Sequence, residues 1–208
     1  MSEEAKTQVG VSRRALFAGA GGAAVALAVC GLKALPAQAR VRPPGGQDED
    51  RLQSMCIRCA RCIEACPWRL IRGAHIGEGV LGAGVPVADF NVGWCDLCTS
   101  QGGSPRCVDA CPTGALSLPL DESLPIIGIA EITHDWCLPW AEGKKCKRCY
   151  RACPSQYRAI KLDKQNRPSI VPEKCVGCGA CQKACLTPEK GSLAPSPDLR
   201  AVMVKPVS

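Results

Sequence analysis

The chain has 208 residues, a formal charge of +7, 4% aromatic side chains and 17 cysteines. That length suits one or two domains, and so few aromatics leave a thin core of ordinary side chains. No basic stripe interleaved with stacking aromatics is present, which excludes a nucleic-acid-binding class.

Residues 1–39 read as an export signal. Ser12-Arg13-Arg14-Ala15-Leu16-Phe17 resembles the twin-arginine consensus, an apolar Gly- and Ala-rich run follows to Leu32, and Ala37-Gln38-Ala39 is a small-x-small cleavage site. The apolar run is at the lower edge of a membrane span, so the expectation is cleavage. Cys30 follows Val29, a poor lipobox, and reads as a small apolar residue. This segment holds +2 of the formal charge, leaving a moderate +5 for the rest.

Residues 40–54 read as an extended, Pro- and Gly-rich linker in which Asp48, Glu49 and Asp50 start a helix leading to Cys56. Residues 55–188 contain four cysteine runs: Cys56, Cys59, Cys62, Cys66; Cys95, Cys98, Cys107, Cys111; Cys137, Cys146, Cys149, Cys153; and Cys175, Cys178, Cys181, Cys185. The first and last are regular C-x-x-C-x-x-C-x-x-x-C. Ala65, Ala110, Ala152 and Ala184 precede the fourth cysteine of each run, and Pro67, Pro112 and Pro154 follow it in the first three. Four copies of one pattern are an internal repeat.

This is the bacterial run whose thiolates hold 4Fe–4S clusters, three from one loop and the fourth reaching a neighbouring cluster. Zinc sites use two separated pairs. Cysteines three apart in a helical loop pair poorly as disulfides. Attached haem needs C-x-x-C-H, and neither His75 nor His134 follows such a pair. Sixteen ligands in four complete sets imply four 4Fe–4S clusters, no open iron for catalysis and no small-molecule substrate. Without clusters the chain is expected to be largely unfolded.

Between the runs, Gly77-Glu-Gly79-Val-Leu-Gly82 formally fits G-x-G-x-x-G, but Gly84 and Pro86 follow, so it reads as a connecting loop. Thr113–Leu118 is expected as a short strand pairing with Ile126–Ile132. Ala159–Leu162 and Ser169–Val171 flank a turn at Asp163–Pro168, a hairpin signal. Residues 189–208 read as an extended surface tail. The fold class is therefore α+β: loop-rich, ferredoxin-like two-cluster modules with short helices and β-hairpins.

The irregular inner runs mirror each other, with one long spacer in the second half of one and the first half of the next. This symmetry predicts nesting, an inner module of about residues 90–155 inside an outer one. Cys56, Cys59 and Cys62 would then share a cluster with Cys185; Cys175, Cys178 and Cys181 with Cys66; Cys95, Cys98 and Cys107 with Cys153; and Cys137, Cys146 and Cys149 with Cys111. The rival pairs runs that are neighbours in sequence.

The twin-arginine signal, Arg40-Val41-Arg42-Pro43-Pro44-Gly45, and the four runs, with Cys149-Tyr150-Arg151-Ala152-Cys153-Pro154 especially similar, resemble the periplasmic ferredoxin-type family of NapG and MauM. The resemblance implies a periplasmic protein that takes electrons from a membrane quinol-oxidising partner, NapH-like or MauN-like. It would pass them to a periplasmic reductase or cytochrome c, in nitrate reduction or methylamine oxidation. An iron–sulfur subunit of a larger molybdenum oxidoreductase is the alternative, disfavoured because this chain has its own export signal. A non-redox scaffold is a third. Arg58, Arg61, Arg69 and Arg72 by the first run, and Lys144, Lys145, Lys147, Arg148 and Arg151 by the third, are read as cations that raise cluster potentials and dock an acidic partner, or else as a solvated face.

Overall fold

Three two-stranded antiparallel sheets and a set of short helices organise the chain in a computed structural model that describes residues 40–118, 125–185 and 200–207. The export-signal reading lies outside the described residues. Among the described residues no helix is long and apolar enough to cross a membrane.

Residues 40–47 are not a linker. Val41, Arg42, Pro43 and Pro44 are all buried. The carbonyl of Val41 accepts from the N–H of Ala88 at 2.9 Å. Arg42 donates to the carbonyl of Pro86 at 3.0 Å and through Nε to Glu49 at 2.8 Å. Proline brings no N–H to satisfy, so Pro43 and Pro44 enter the interior with half the usual backbone demand.

Helix α1 (Glu49–Met55) forms as expected. Asp48 caps it, accepting from the N–H of Arg51 at 3.0 Å, and Glu49 and Asp50 lie in its first turn, where the helix dipole favours them. Its one buried residue, Leu52, is fully enclosed and packs with Ile71, Val85, Ala115 and Leu116. Helix α2 (Arg61–Ala65) follows, then strands β1 (Ile71–Gly73) and β2 (Pro86–Ala88), paired with Ile71 opposite Ala88. Between them the Gly-rich segment makes one 3-10 turn, Ile76–Glu78, and no α-helix opens there, so it connects two strands as anticipated.

Helix α3 is Arg106–Asp109, α4 Leu138–Ala141, α5 Arg148–Ala152 and α6 Ala180–Ala184. Strands β4 (Ile160–Leu162) and β5 (Pro168–Ile170) form the expected hairpin. The Asp163 carboxylate closes its turn, accepting from the N–H groups of Gln165 and Arg167 at 2.8 Å each.

Two expectations fail here. Thr113–Leu118 is turn and bend, and the N–H of Ser117 bonds to the carbonyl of Gly45 at 3.0 Å. Strand β3 (Ile129–Ile132) instead pairs with β6 (Val202–Lys205), at the end of the expected surface tail. Val202 and Val204 turn inward and are 1% and 6% exposed. Their β-branched, alternating pattern gives β6 an apolar inward face to set against β3.

Candidate metal centres

Each cysteine run wraps a loop that no straight helix or strand could make. In the first run Arg58 and Ala60 have φ of +56° and +63°; in the fourth, Gly177 and Gly179 occupy the same places at +73° and +77°. These left-handed residues turn successive thiols toward one point, and a short helix then carries the last cysteine away.

The thiols gather into four sets. Set A is Cys56, Cys59, Cys62 and Cys111, lining one pocket. Set B is Cys66, Cys95, Cys98 and Cys107, lining a second. Set C is Cys153, Cys175, Cys178 and Cys181, lining a third. Set D is Cys137, Cys146, Cys149 and Cys185, lining a fourth. All sixteen expected ligands are thus brought together in fours.

The partners are not those expected. Nesting put Cys66 with Cys175, Cys178 and Cys181, and Cys185 with Cys56, Cys59 and Cys62. Cys66 instead joins Cys95, Cys98 and Cys107, and Cys185 joins Cys137, Cys146 and Cys149. Likewise Cys111 stands with the first run rather than with Cys137, and Cys153 with the fourth rather than with Cys95. The runs pair as sequence neighbours because α2 packs on α3 and α5 on α6. Each helix aims its terminal cysteine across that contact. The mirrored spacers are local: a 3-10 turn at Thr99–Gln101 fills one and α4 fills the other, so neither reports on pairing.

The four sets form a row. Sets A and B are neighbours: after burial and the sulfurs of its own set, Cys62 of set A also raises the thiol pKa of Cys107 in set B. Sets B and C meet where the N–H of Cys95 donates to the carbonyl of Cys178 at 2.7 Å. Sets C and D meet through α5 and α6, where Cys149 acts on Cys181. The order is A–B–C–D. Cys59, in set A, is exposed, whereas Cys95, Cys98 and Cys107 of set B, Cys175 and Cys181 of set C, and Cys137 and Cys149 of set D are buried.

Burial and neighbouring sulfurs make these thiols hard to ionise alone. Burial first, then Cys56, pushes Cys62 up to about 11. Burial and Cys185 push Cys149 to about 12, and burial and Cys66 do the same to Cys107. Four such thiolates in one pocket need positive charge between them, which bound iron supplies. Cys111 is shifted the other way. Burial opposes its ionisation, but N–H groups of Leu116, Thr113 and Ala115 and the Thr113 hydroxyl together hold it below the usual thiol value. The Leu116 N–H lies 3.4 Å from its sulfur, and that of Ala130 3.4 Å from Cys175. Among the described residues no three Cys, His, Asp or Glu side chains converge on a single ion. The donor type and the number per pocket fit a four-iron group.

Of the cations read as docking residues, some are engaged. Arg72 is locked to Glu78 at 2.6 and 2.7 Å, and Lys144 pairs with Glu142 at 2.5 Å. Arg148 donates to the carbonyl of Ala184 at 3.0 Å, tying α5 to α6. Arg58 and Arg61 are exposed. The sequence reading missed the Trp68–Trp94 stack at 5.5 Å, with Trp68 lining set B. It also missed Ala201 and Val202, which line set D.

Family models described as 4Fe–4S dicluster domains match residues 55–116 and, separately, 144–188. The chain is 32% identical over 203 residues to the ferredoxin-type protein NapG of Escherichia coli, covering 89% of this chain and 85% of that one. It is 36% identical over 159 residues to the methylamine utilization ferredoxin-type protein MauM of Methylorubrum extorquens, covering 70% and 68%. Against MauM of Methylophilus methylotrophus it is 37% identical over 182 residues, covering 81% and 78%. No solved structure matches.

Proposed function

This chain belongs to the family of NapG and MauM ferredoxin-type proteins, and we propose that it works as a periplasmic relay in which sets A to D each hold one 4Fe–4S cluster. That it is a ferredoxin-type 4Fe–4S electron-transfer protein follows from its family and its two dicluster domains. Bound clusters supply one-electron oxidation and reduction at potentials tuned by charge, hydrogen bonds and exposure. The protein's own share is to hold sixteen thiolates, bury much of sets B, C and D, and leave set A reachable at the exposed Cys59.

The observation that carries this reading is the unbroken row. The Cys95–Cys178 hydrogen bond at 2.7 Å joins the two halves, so an electron entering one end has a continuous path to the other. The partners are a membrane quinol-oxidising protein, NapH-like or MauN-like, and a periplasmic reductase or cytochrome c as acceptor. Methylamine utilization is the system that the MauM relatives' names carry, and nitrate reduction is the system that the resemblance to NapG implies. The twin-arginine signal read in residues 1–39 suits a protein that must fold around its cofactors before export.

The test uses anaerobic membranes containing the quinol-oxidising partner. Quinol is added to the cluster-loaded protein and its reduction is followed by EPR. Reduction that requires the partner supports the relay. Full loading with clusters but no reduction by quinol, with or without the partner, overturns the quinol-linked role.

A further inference from the structure

Among the described residues the buried charged side chains are Arg42, Asp96 and Arg200. Two are matched. Arg42 meets Glu49 at 2.8 Å, and Asp96 accepts from the N–H of Cys98 at 2.8 Å and from the hydroxyl of Ser100. Arg200 is not. It is 3% exposed, its Nη1 donates to the carbonyl of Gln182 at 2.6 Å, and its Nε has no hydrogen-bond partner. Asp89 is the one carboxylate whose charge acts on it among the described residues, and Asp89 is itself held by Arg72 at 3.4 Å.

What lies beside Arg200 is set D. Gln182 sits in α6, three residues before Cys185. The two residues after Arg200, Ala201 and Val202, line the set D pocket; burial pushes the Cys185 thiol pKa up, and the backbone N–H groups of Val202 and Ala201 act against that rise. This segment is fixed. β6 pairs with β3, and the N–H of Val204 donates to Oε1 of the buried Gln182 at 2.7 Å. A rigid strap therefore brings one buried cation and two backbone dipoles to a single ligand.

A buried guanidinium is costly unless negative charge stands near it. The thiolates of set D are the negative charge available here. We propose that Arg200, with the N–H groups of Ala201 and Val202, raises the potential of the set D cluster and makes it the electron-collecting end of the row. The inference rests on the four-cluster reading above. Reduction adds one electron to a cluster and breaks no bond, so the site becomes one unit more negative. A fixed cation and aimed N–H dipoles favour that state, most strongly where water is excluded. Set A has Arg58 and Arg61 close by, but both are exposed and screened by water and salt. Set C receives one N–H, from Ala130 to Cys175, and no buried cation among the described residues.

The experiment is an EPR-monitored redox titration of anaerobically purified, cluster-loaded protein, comparing wild type with Arg200→Gln and Arg200→Lys. In the Gln variant one midpoint should fall by about a tenfold change in the reduction equilibrium, which is about 59 mV for one electron. The other three midpoints should stay in place, and the Lys variant should keep all four near wild type. Four unchanged midpoints in the Gln variant overturn the proposal. So does a Lys variant, fully loaded with iron, whose midpoint falls as far as that of Gln. Should the Gln variant lose iron, a fully loaded Lys variant decides: four wild-type midpoints support the proposal, and one lowered by about 59 mV overturns it. A wild-type protein with fewer than four clusters instead fails the underlying functional reading before Arg200 is tested.

Discussion

Gly177→Ala tests how tightly the fourth run is built. Gly177 sits between Cys175 and Cys178 with φ at +73°. A side chain in that region costs about 1–2 kcal/mol. Ala60 tolerates a φ of +63° in the first run, so conformation alone does not forbid alanine. The deciding contact is with Gly128. A methyl group at position 177 would press on the N, C and O atoms of that residue. Those atoms cannot swing away, because the N–H of Ile127 is bonded to the carbonyl of Val176 at 3.0 Å and β3 continues from Ile129. Overpacking against fixed backbone costs about 1–3 kcal/mol. The sum, about 2–5 kcal/mol, is a large share of the about 5–15 kcal/mol that holds a domain together. The assay is iron per chain and anaerobic thermal unfolding, with Ala60→Gly as the control expected to move stability by about 1 kcal/mol or less. Gly177→Ala should lose up to a quarter of the iron and unfold earlier. Wild-type iron and wild-type unfolding would refute the close approach to Gly128.

Glu78 accepts from Arg72 at 2.6 and 2.7 Å and lies 3.2 Å from Arg40, and these contacts hold its carboxyl down at about 2 against an ordinary 4.5. A depressed carboxyl stabilises the fold above pH 4.5, and that stability drains away as pH falls toward 2. With Arg72 30% exposed, water discounts the effect to about 1–2 kcal/mol. Glu78→Gln should therefore destabilise at pH 7 and flatten the acid dependence measured by denaturant melts. Cys66→Ser should remove or alter one cluster, that of Cys95, Cys98 and Cys107, and leave the EPR signal of the fourth run intact; a changed fourth-run signal would revive nesting. Val202→Ala, at a side chain 1% exposed, should cost about 2 kcal/mol in the same melts. Stripping the iron with chelator should unfold the chain, read as loss of protease resistance, because the proposed clusters would join thiols from segments far apart in sequence.

Ligand identity was legible because it is local: three thiols at fixed spacing need only one loop. Pairing was not local. It depends on which helix α2 and α5 pack against, and the mirrored spacers pointed the wrong way because their insertions fold within their own loops. The hairpin β4–β5 was legible through Asp163 and the short turn. Strand β6 was not, since its partner β3 lies some seventy residues away and the intervening prolines read as a tail. The segment 40–47 was misread for a related reason: Pro43 and Pro44 signal extension but say nothing about burial. Arg200 became visible only once β6 had placed it beside Cys185.

Iron and acid-labile sulfide per chain on anaerobically purified protein, with an EPR spectrum of the reduced form, test the central claim most directly. Four thiol sets predict about 16 irons, matching sulfide and magnetically coupled 4Fe–4S signals. Stoichiometric zinc, or iron sufficient for only two clusters, would contradict a row of four centres.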